Sequence, residues 1–437
     1  MAALFFLYFA PLSFQSEGMK KLFLLLCLLL ISGTAHAEDR SAVYVETLKK
    51  VITVGPYETY AAQMLGLLDG QQFAALDEYY TSLQKSYEAG LIDDKTLAYA
   101  YEPFEEIDDP KYQKIFADWL TAMPKSYPAH YMHENYRITL AWKARGTKYA
   151  SKTSRSQFDS FGALLERAYS DNTKTLQLKL TQKPILSLMN RLRMLRAASS
   201  LNLSRDQARA QADSTLKEAN ALDPNNFLAR FNYMTILRPR WGGSYDEMKA
   251  FAKTVRAEKA PAKVADYMDA VILEDVGDGF YDSETYKRAL PYYYKAAALQ
   301  APYYDYGNVE ALKRYIYSTY RVSHETDKHD PNTKEFLTLL DTLLRPGRLI
   351  DNPGWYYGER AQTRWNVNND AVGTWEDYQK GAYYGDAHSL FNVASIYCKG
   401  QAELQVAPDQ KLCKSTMAKA ALKGSKPAAQ ALQTMQP

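Results

Sequence analysis

Few residues in this chain have the types and spacing that chemistry needs. His130 and His133 stand three apart with Glu134 beside them. Two imidazoles so spaced can share a helix face, but metal sites on helices favour a spacing of four, or ligands drawn from a distant segment. Asp275, Asp278, Asp282 and Glu284 form an acidic run. A calcium loop of the EF-hand type wants carboxylates at its first, third and fifth positions, and counting from Asp275 puts Gly277 and Gly279 at two of them, so a solvated acidic turn is expected. The chain has no G-x-S-x-G elbow, phosphate-binding P-loop, G-x-G-x-x-G or H-E-x-x-H, and its Glu residues form no transglycosylase-like constellation. No catalytic residue, cofactor or metal is expected, and the protein reads as a non-enzyme.

Binding is better represented. The run Arg238-Pro239-Arg240-Trp241-Gly242-Gly243-Ser244 has a structural reading, in which Pro239 stops a helix, Trp241 plugs between helices and Ser244 caps the next. It also has a functional one, an Arg-flanked Trp at the rim of a groove. The chain carries 35 Tyr against 16 Phe and 6 Trp, many in runs: Tyr79-Tyr80, Tyr292-Tyr293-Tyr294, Tyr303-Tyr304, Tyr356-Tyr357 and Tyr383-Tyr384. Two consecutive aromatics on a helix are not expected to face the same core, so some should reach a surface, where Tyr adds contact area at low entropic cost. The alternative is inter-repeat packing. The candidate surface is Arg240, Trp241, Tyr292, Tyr293, Tyr303, Tyr304 and Tyr383.

Helices must position these residues. Gly (21) and Pro (18) are sparse for a turn-dense β chain, and 46% hydrophobic with 24% charged residues is ordinary globular composition over 437 residues. Lys+Arg of 53 against Asp+Glu of 50 gives +3, too balanced to nominate nucleic acid or an anionic membrane. Tyr60, Ala61, Met64, Leu65 and Leu68, then a break at Asp69-Gly70, then Phe73, Leu76, Tyr79, Tyr80, Leu83 and Tyr87 predict a helical hairpin. Pro110, Pro124 and Pro128 should break the next stretch, with a helix from Tyr131 to Arg145 closed by Gly146. Ser204 with Gln207, and Ser244 with Glu247, read as capping boxes. Val43 to Val54 fits a short strand or a helix.

The N-terminus reads as an address. Lys20 and Lys21, ten apolar residues from Leu22 to Ile31 and a small-x-small site ending at Ala37 make a secretory signal peptide, with translation expected to start at Met19. The apolar run is short for a membrane span, so no membrane insertion is expected. Removal of the leader leaves Cys398 and Cys413, an even pair in an oxidising compartment, and a disulfide between them is expected.

Internal similarity organises the remainder. Lys380 to Gly385 and Lys419 to Gly424 match at an offset of 39 residues, and Lys217 to Pro224 matches Lys295 to Pro302 at twice that. Such a period fits a helix-turn-helix solenoid. Leu216 to Asn226 resembles the end of a tetratricopeptide repeat, with the next helix near Phe227. Trp375-x-x-Tyr378-x-Lys380-Gly381-Ala382-x-x-Gly385-Asp386-Ala387, followed by Ala394, Tyr397, Gly400, Lys419, Ala420, Ala421 and Gly424, resembles Sel1-like repeats, departing from them in a longer loop at 401–408 and at Leu412-Cys413. Ala141-Trp142-x-x-Arg145-Gly146, Tyr149-Ala150-Ser151 and the Arg238 to Ser244 run resemble a family of secreted bacterial helical proteins of unknown function, over roughly half the chain together with the first hairpin.

The expectation is therefore an all-α solenoid after a signal peptide. Its segments are a leader over 1–37, a helical domain of unknown function over 38–200, tetratricopeptide-like repeats over 201–345 and Sel1-like repeats over 346–437. A periplasmic protein-binding scaffold follows from that fold, working through a curved helical face. Resemblance to secreted Sel1-like proteins extends this to neutralising an effector toxin. The competing expectation is a peptidoglycan binder or cell-wall-modifying protein with a Tyr-rich groove.

Overall fold

The computed structural model describes residues 37–54, 57–105, 107–146, 152–306, 309–326, 334–345, 350 and 353–435. The signal peptide lies outside them apart from Ala37, as does Tyr149-Ala150-Ser151. Every regular element among the described residues is helical, twenty α-helices with short 3-10 turns between them and one isolated bridge, Gln401 to Val406. No helix among them is long and apolar enough to cross a membrane. Two compact units form, one from the described residues up to Val51 with Glu58–Ala229, the other from Ile52–Tyr57 with Arg230–Pro437.

Ala37–Val54, whose residues up to Val51 belong to the first unit, is a helix, which settles the open choice at Val43 to Val54. Tyr44, Leu48, Val51 and Ile52 fall on one helical face and are all buried. The expected hairpin is present as Tyr57–Asp69 and Phe73–Glu88. Pro128 opens a helix instead of breaking one. Tyr127–Arg145 is capped by the Ser126 hydroxyl, and a proline in the first turn forfeits an amide that has no intrahelical partner anyway. Gly146 ends that helix at φ +74°, as expected of a left-handed stop. Ile138 and Ala141 on it pack with Phe161, Leu165 and Ala168 of Arg155–Leu178 and with Met194 of Ile185–Leu195. Ser204 and Gln207 form the reciprocal capping box, and Ser154 with Gln157 forms a second that the sequence reading did not single out. The turn after Leu222 leads into Leu228–Ile236, where the buried Asp94 carboxylate accepts from the Phe227 and Leu228 amides at 2.7 Å each.

In the second unit each helix packs mainly on its neighbours in sequence. Ala262–Tyr281, Tyr286–Gln300, Glu310–Thr326 and Lys334–Leu343 share a core of Ala270, Ala296, Leu312, Ile316, Phe336 and Leu340. Further along, Ala371–Tyr383 with Ala387–Lys399, and Gln410–Leu422 with Lys426–Thr434, are two hairpins whose helix starts and first-helix ends are offset by 39 residues. Gly385 and Gly424 occupy the same position in each, at φ +81° and +95°. Cys398 and Cys413 are bonded, joining the end of one hairpin to the start of the next.

Candidate functional site

The acidic run is not a loop. Asp275 and Asp278 belong to the last turns of Ala262–Tyr281, and the Arg238 to Ser244 turn closes onto them. Gly243 allows that approach, since a Cβ there would stand 2.0 Å from the Leu237 carbonyl oxygen. Arg240 donates to Asp275 at 2.6 Å and to Asp278 at 2.8 Å, while Arg238 reaches Glu274 at 3.4 Å. These carboxylates hold the Arg240 guanidinium above its usual range against the opposing effect of burial. Its charge is committed within the fold, so it is not the free rim cation of the sequence reading. Trp241 sits half-buried in the 3-10 turn Pro239–Trp241.

The candidate tyrosines separate by burial. Tyr293 is fully buried and donates to Asp278 at 2.8 Å. The turn Ala301–Tyr306 is 3-10 rather than α, and it directs both Tyr303 and Tyr304 inward, Tyr303 edge-on to Tyr267 and Tyr304 bonded to the Ala297 carbonyl at 2.5 Å. These three are core residues, which corrects their assignment to a binding surface. Tyr292 is half-buried and stacks on Phe280 at 5.6 Å. Tyr383 is 75% exposed, edge-on to Tyr384. Tyr79 and Tyr80 are both buried, against the expectation for adjacent aromatics, because their helix is covered on two sides: Tyr79 meets Tyr44, and Tyr80 stacks on Tyr101 at 4.2 Å.

A different set of aromatics reaches the surface of the second unit. Tyr281, Tyr317, Tyr320, Trp355 and Tyr356 are each half-buried, and with the buried Tyr286 they form a chain of ring contacts. Tyr281 meets Tyr286 and Tyr317, Tyr317 meets Trp355 at 5.6 Å, and Trp355 meets Tyr320 at 5.2 Å and Tyr356 at 4.9 Å. Most of these contacts are edge-to-face, the arrangement ring quadrupoles prefer, so the strip is ridged and not a flat platform. Arg314 covers the Tyr281 ring at 4.3 Å, and Arg321 covers Tyr286 at 4.6 Å.

The strip is held by a close helix crossing. Gly354 and Gly358 on Gly354–Asn368 and Gly381 on the next helix let backbones meet; a Cβ on Gly381 would fall 2.2 Å from the Ser389 hydroxyl. Arg360 fixes the crossing by two bonds to the buried Asp377, at 2.8 and 2.7 Å. Trp355 and Glu359 stand one turn apart on this same helix, each one residue beyond a glycine. Sequence reasoning noted Tyr356 within the Tyr356-Tyr357 run without selecting it, and passed over the other strip residues because they are scattered rather than consecutive. The usable signal was the helical spacing of Tyr317, Tyr320 and Arg321.

The histidines do not converge on a metal. His133 Nδ1 lies 3.2 Å from Asp171, whereas His130 Nε2 meets the Pro124 carbonyl at 3.0 Å. Glu134 is buried and accepts from Asn172 at 3.2 Å and Asn190 at 3.1 Å, a network that pins three helices in register. No group of three or more metal-ligating side chains occurs among the described residues.

No curated protein matches the chain. The Ala141 to Gly146 run falls within a matched family segment, while the Arg238 to Ser244 run falls outside it, so the resemblance is narrower than the sequence reading expected. Residues 60–201 match the model of a family described as a domain of unknown function (DUF4034).

Proposed function

We propose that the protein is an exported, non-catalytic scaffold that binds another protein through the aromatic strip of its second unit. The observation that carries this reading is the strip itself. Half-exposed Tyr and Trp side chains from three helices, Ala262–Tyr281, Glu310–Thr326 and Gly354–Asn368, fixed by mostly edge-to-face contacts, supply the rigid amphipathic area typical of protein interfaces. Neighbour-to-neighbour packing and the 39-residue offset of the C-terminal hairpins support a repeat array of tetratricopeptide-like and Sel1-like units. Export to the periplasm rests on the signal peptide pattern ending at Ala37. Neutralising a toxic effector is the specialised form of this role.

In-cell chemical crosslinking followed by mass spectrometry tests the proposal. Crosslinks to one discrete protein through residues 280–356 are expected. If the protein forms none and instead sediments with isolated cell wall, the peptidoglycan-binding reading replaces it.

A further inference from the structure

The strip carries two ionisable groups that form no ion pair among the described residues, Arg321 next to Tyr320 and Glu359 one helical turn after Trp355. Arg321 donates from one nitrogen to the hydroxyls of Tyr286 at 3.2 Å and Tyr317 at 3.3 Å. Glu284 acts on it electrostatically, but it has no carboxylate ion pair among the described residues, unlike Arg314, which is bonded to Glu310 at 2.9 Å. Its guanidinium is therefore oriented by two neutral hydroxyls and a ring face, leaving the remaining N–H groups available to an anion. Glu359 is the opposite case. It is half-buried, with no cation and no hydrogen-bond donor to its carboxylate among the described residues, and the nearest charge acting on it is another carboxylate, Asp386. Burial, then Asp386, push the Glu359 carboxyl up to about 7, so a cation brought to it would restore a charge that the fold alone disfavours.

Arg321 follows Tyr320 on its helix, the Tyr320 ring lies 5.2 Å from that of Trp355, and Glu359 stands one helical turn after Trp355. The touching rings of Tyr320 and Trp355 thus link the two charged positions.

We propose that this strip recognises a dipolar polypeptide segment, whose acidic side chain meets Arg321, whose basic side chain meets Glu359 and whose intervening apolar or aromatic side chain packs on Tyr320 and Trp355. This deepens the scaffold reading and rests on it. A polypeptide fits better than a glycan because sugars stack on open ring faces, whereas here Arg314 and Arg321 cover Tyr281 and Tyr286 and the other rings meet edge-to-face. Opposite charges along the strip also disfavour a uniformly anionic polymer.

Fluorescence polarisation with labelled synthetic peptides tests this on the full mature chain. The probes are Gly-Glu-Ala-Trp-Ala-Lys-Gly and its reverse, against versions with two Glu or two Lys. Because either chain direction can present the charges, at least one mixed-charge peptide should bind about tenfold more tightly than both like-charge versions, the worth of one or two charge-assisted hydrogen bonds. Arg321→Glu should move the preference to the two-Lys peptide, and Glu359→Lys to the two-Glu peptide. Arg321 lies at the surface, so its reversal remains informative even where the Glu359 variant fails to fold. Peptide binding without regard to charge would overturn this inference and leave the scaffold reading standing. If no peptide binds and purified muropeptides do, both fall.

Discussion

At the scale of single residues, the fold separates groups that serve structure from groups left with capacity to spare. Arg240, the most suggestive cation of the sequence, is consumed by Asp275 and Asp278, and Tyr293 spends its hydroxyl on the same cluster. Glu359 spends nothing, and its environment makes a prediction. Its folded pKa, about 7, lies above the 4.5 of an ordinary Glu, so the folded state holds the proton more tightly than the unfolded chain. The resulting stability is fully present below about pH 4.5 and is lost as pH rises through 7. Glu359→Gln should therefore stabilise the protein at pH 8 by up to about 1 kcal/mol, or roughly 2–4 °C in Tm, after allowing for solvent screening. The gain should vanish near pH 4.5. Thermal unfolding of both forms across that range checks this, and an equal offset at both pH values would contradict it.

Elements explain which parts of the fold were legible. The hairpin at 57–88, the Gly146 stop and the Ser204 capping box were readable because local chemistry alone decides them. Surface assignment was not, because it depends on what covers a helix. Tyr79 and Tyr80 are adjacent and both buried, since Ala37–Val54 lies against one side of their helix and Asp94–Tyr101 against another. Tyr303 and Tyr304 turned inward because six residues took a 3-10 conformation that no periodicity signals. The Gly381 crossing is a further case: the sequence marks the glycine, but only packing shows that the Ser389 hydroxyl fills the space a methyl would need. Gly381→Ala should destabilise the second unit by about 2–3 kcal/mol through overpacking. Denaturant melts should show part of that loss recovered by adding Ser389→Ala, whose missing hydroxyl relieves the tightest contact; full stability of Gly381→Ala alone would refute the close-approach account.

For the whole molecule, the sequence established an all-helical chain with one bonded cysteine pair, and the structure agrees among the described residues. The candidate site was much less legible. Of the seven residues named, Tyr293, Tyr303 and Tyr304 are core, Arg240 is exposed but neutralised, Trp241 and Tyr292 are half-buried, and Tyr383 is largely exposed. The strip that replaces them draws on helices that are far apart in sequence, and runs of consecutive tyrosines are a poor guide to a surface assembled that way. Its central claim is that the face built from Tyr317, Tyr320, Trp355 and Tyr356 meets another protein. The most direct measurement places a photo-crosslinking amino acid at position 320 in living cells, with position 249 as the control; Lys249 is exposed in the same unit and lies outside the strip. A single protein adduct from position 320 and none from position 249 is the predicted result. Equal adducts at both, or none at 320 with the protein expressed and folded, would contradict it.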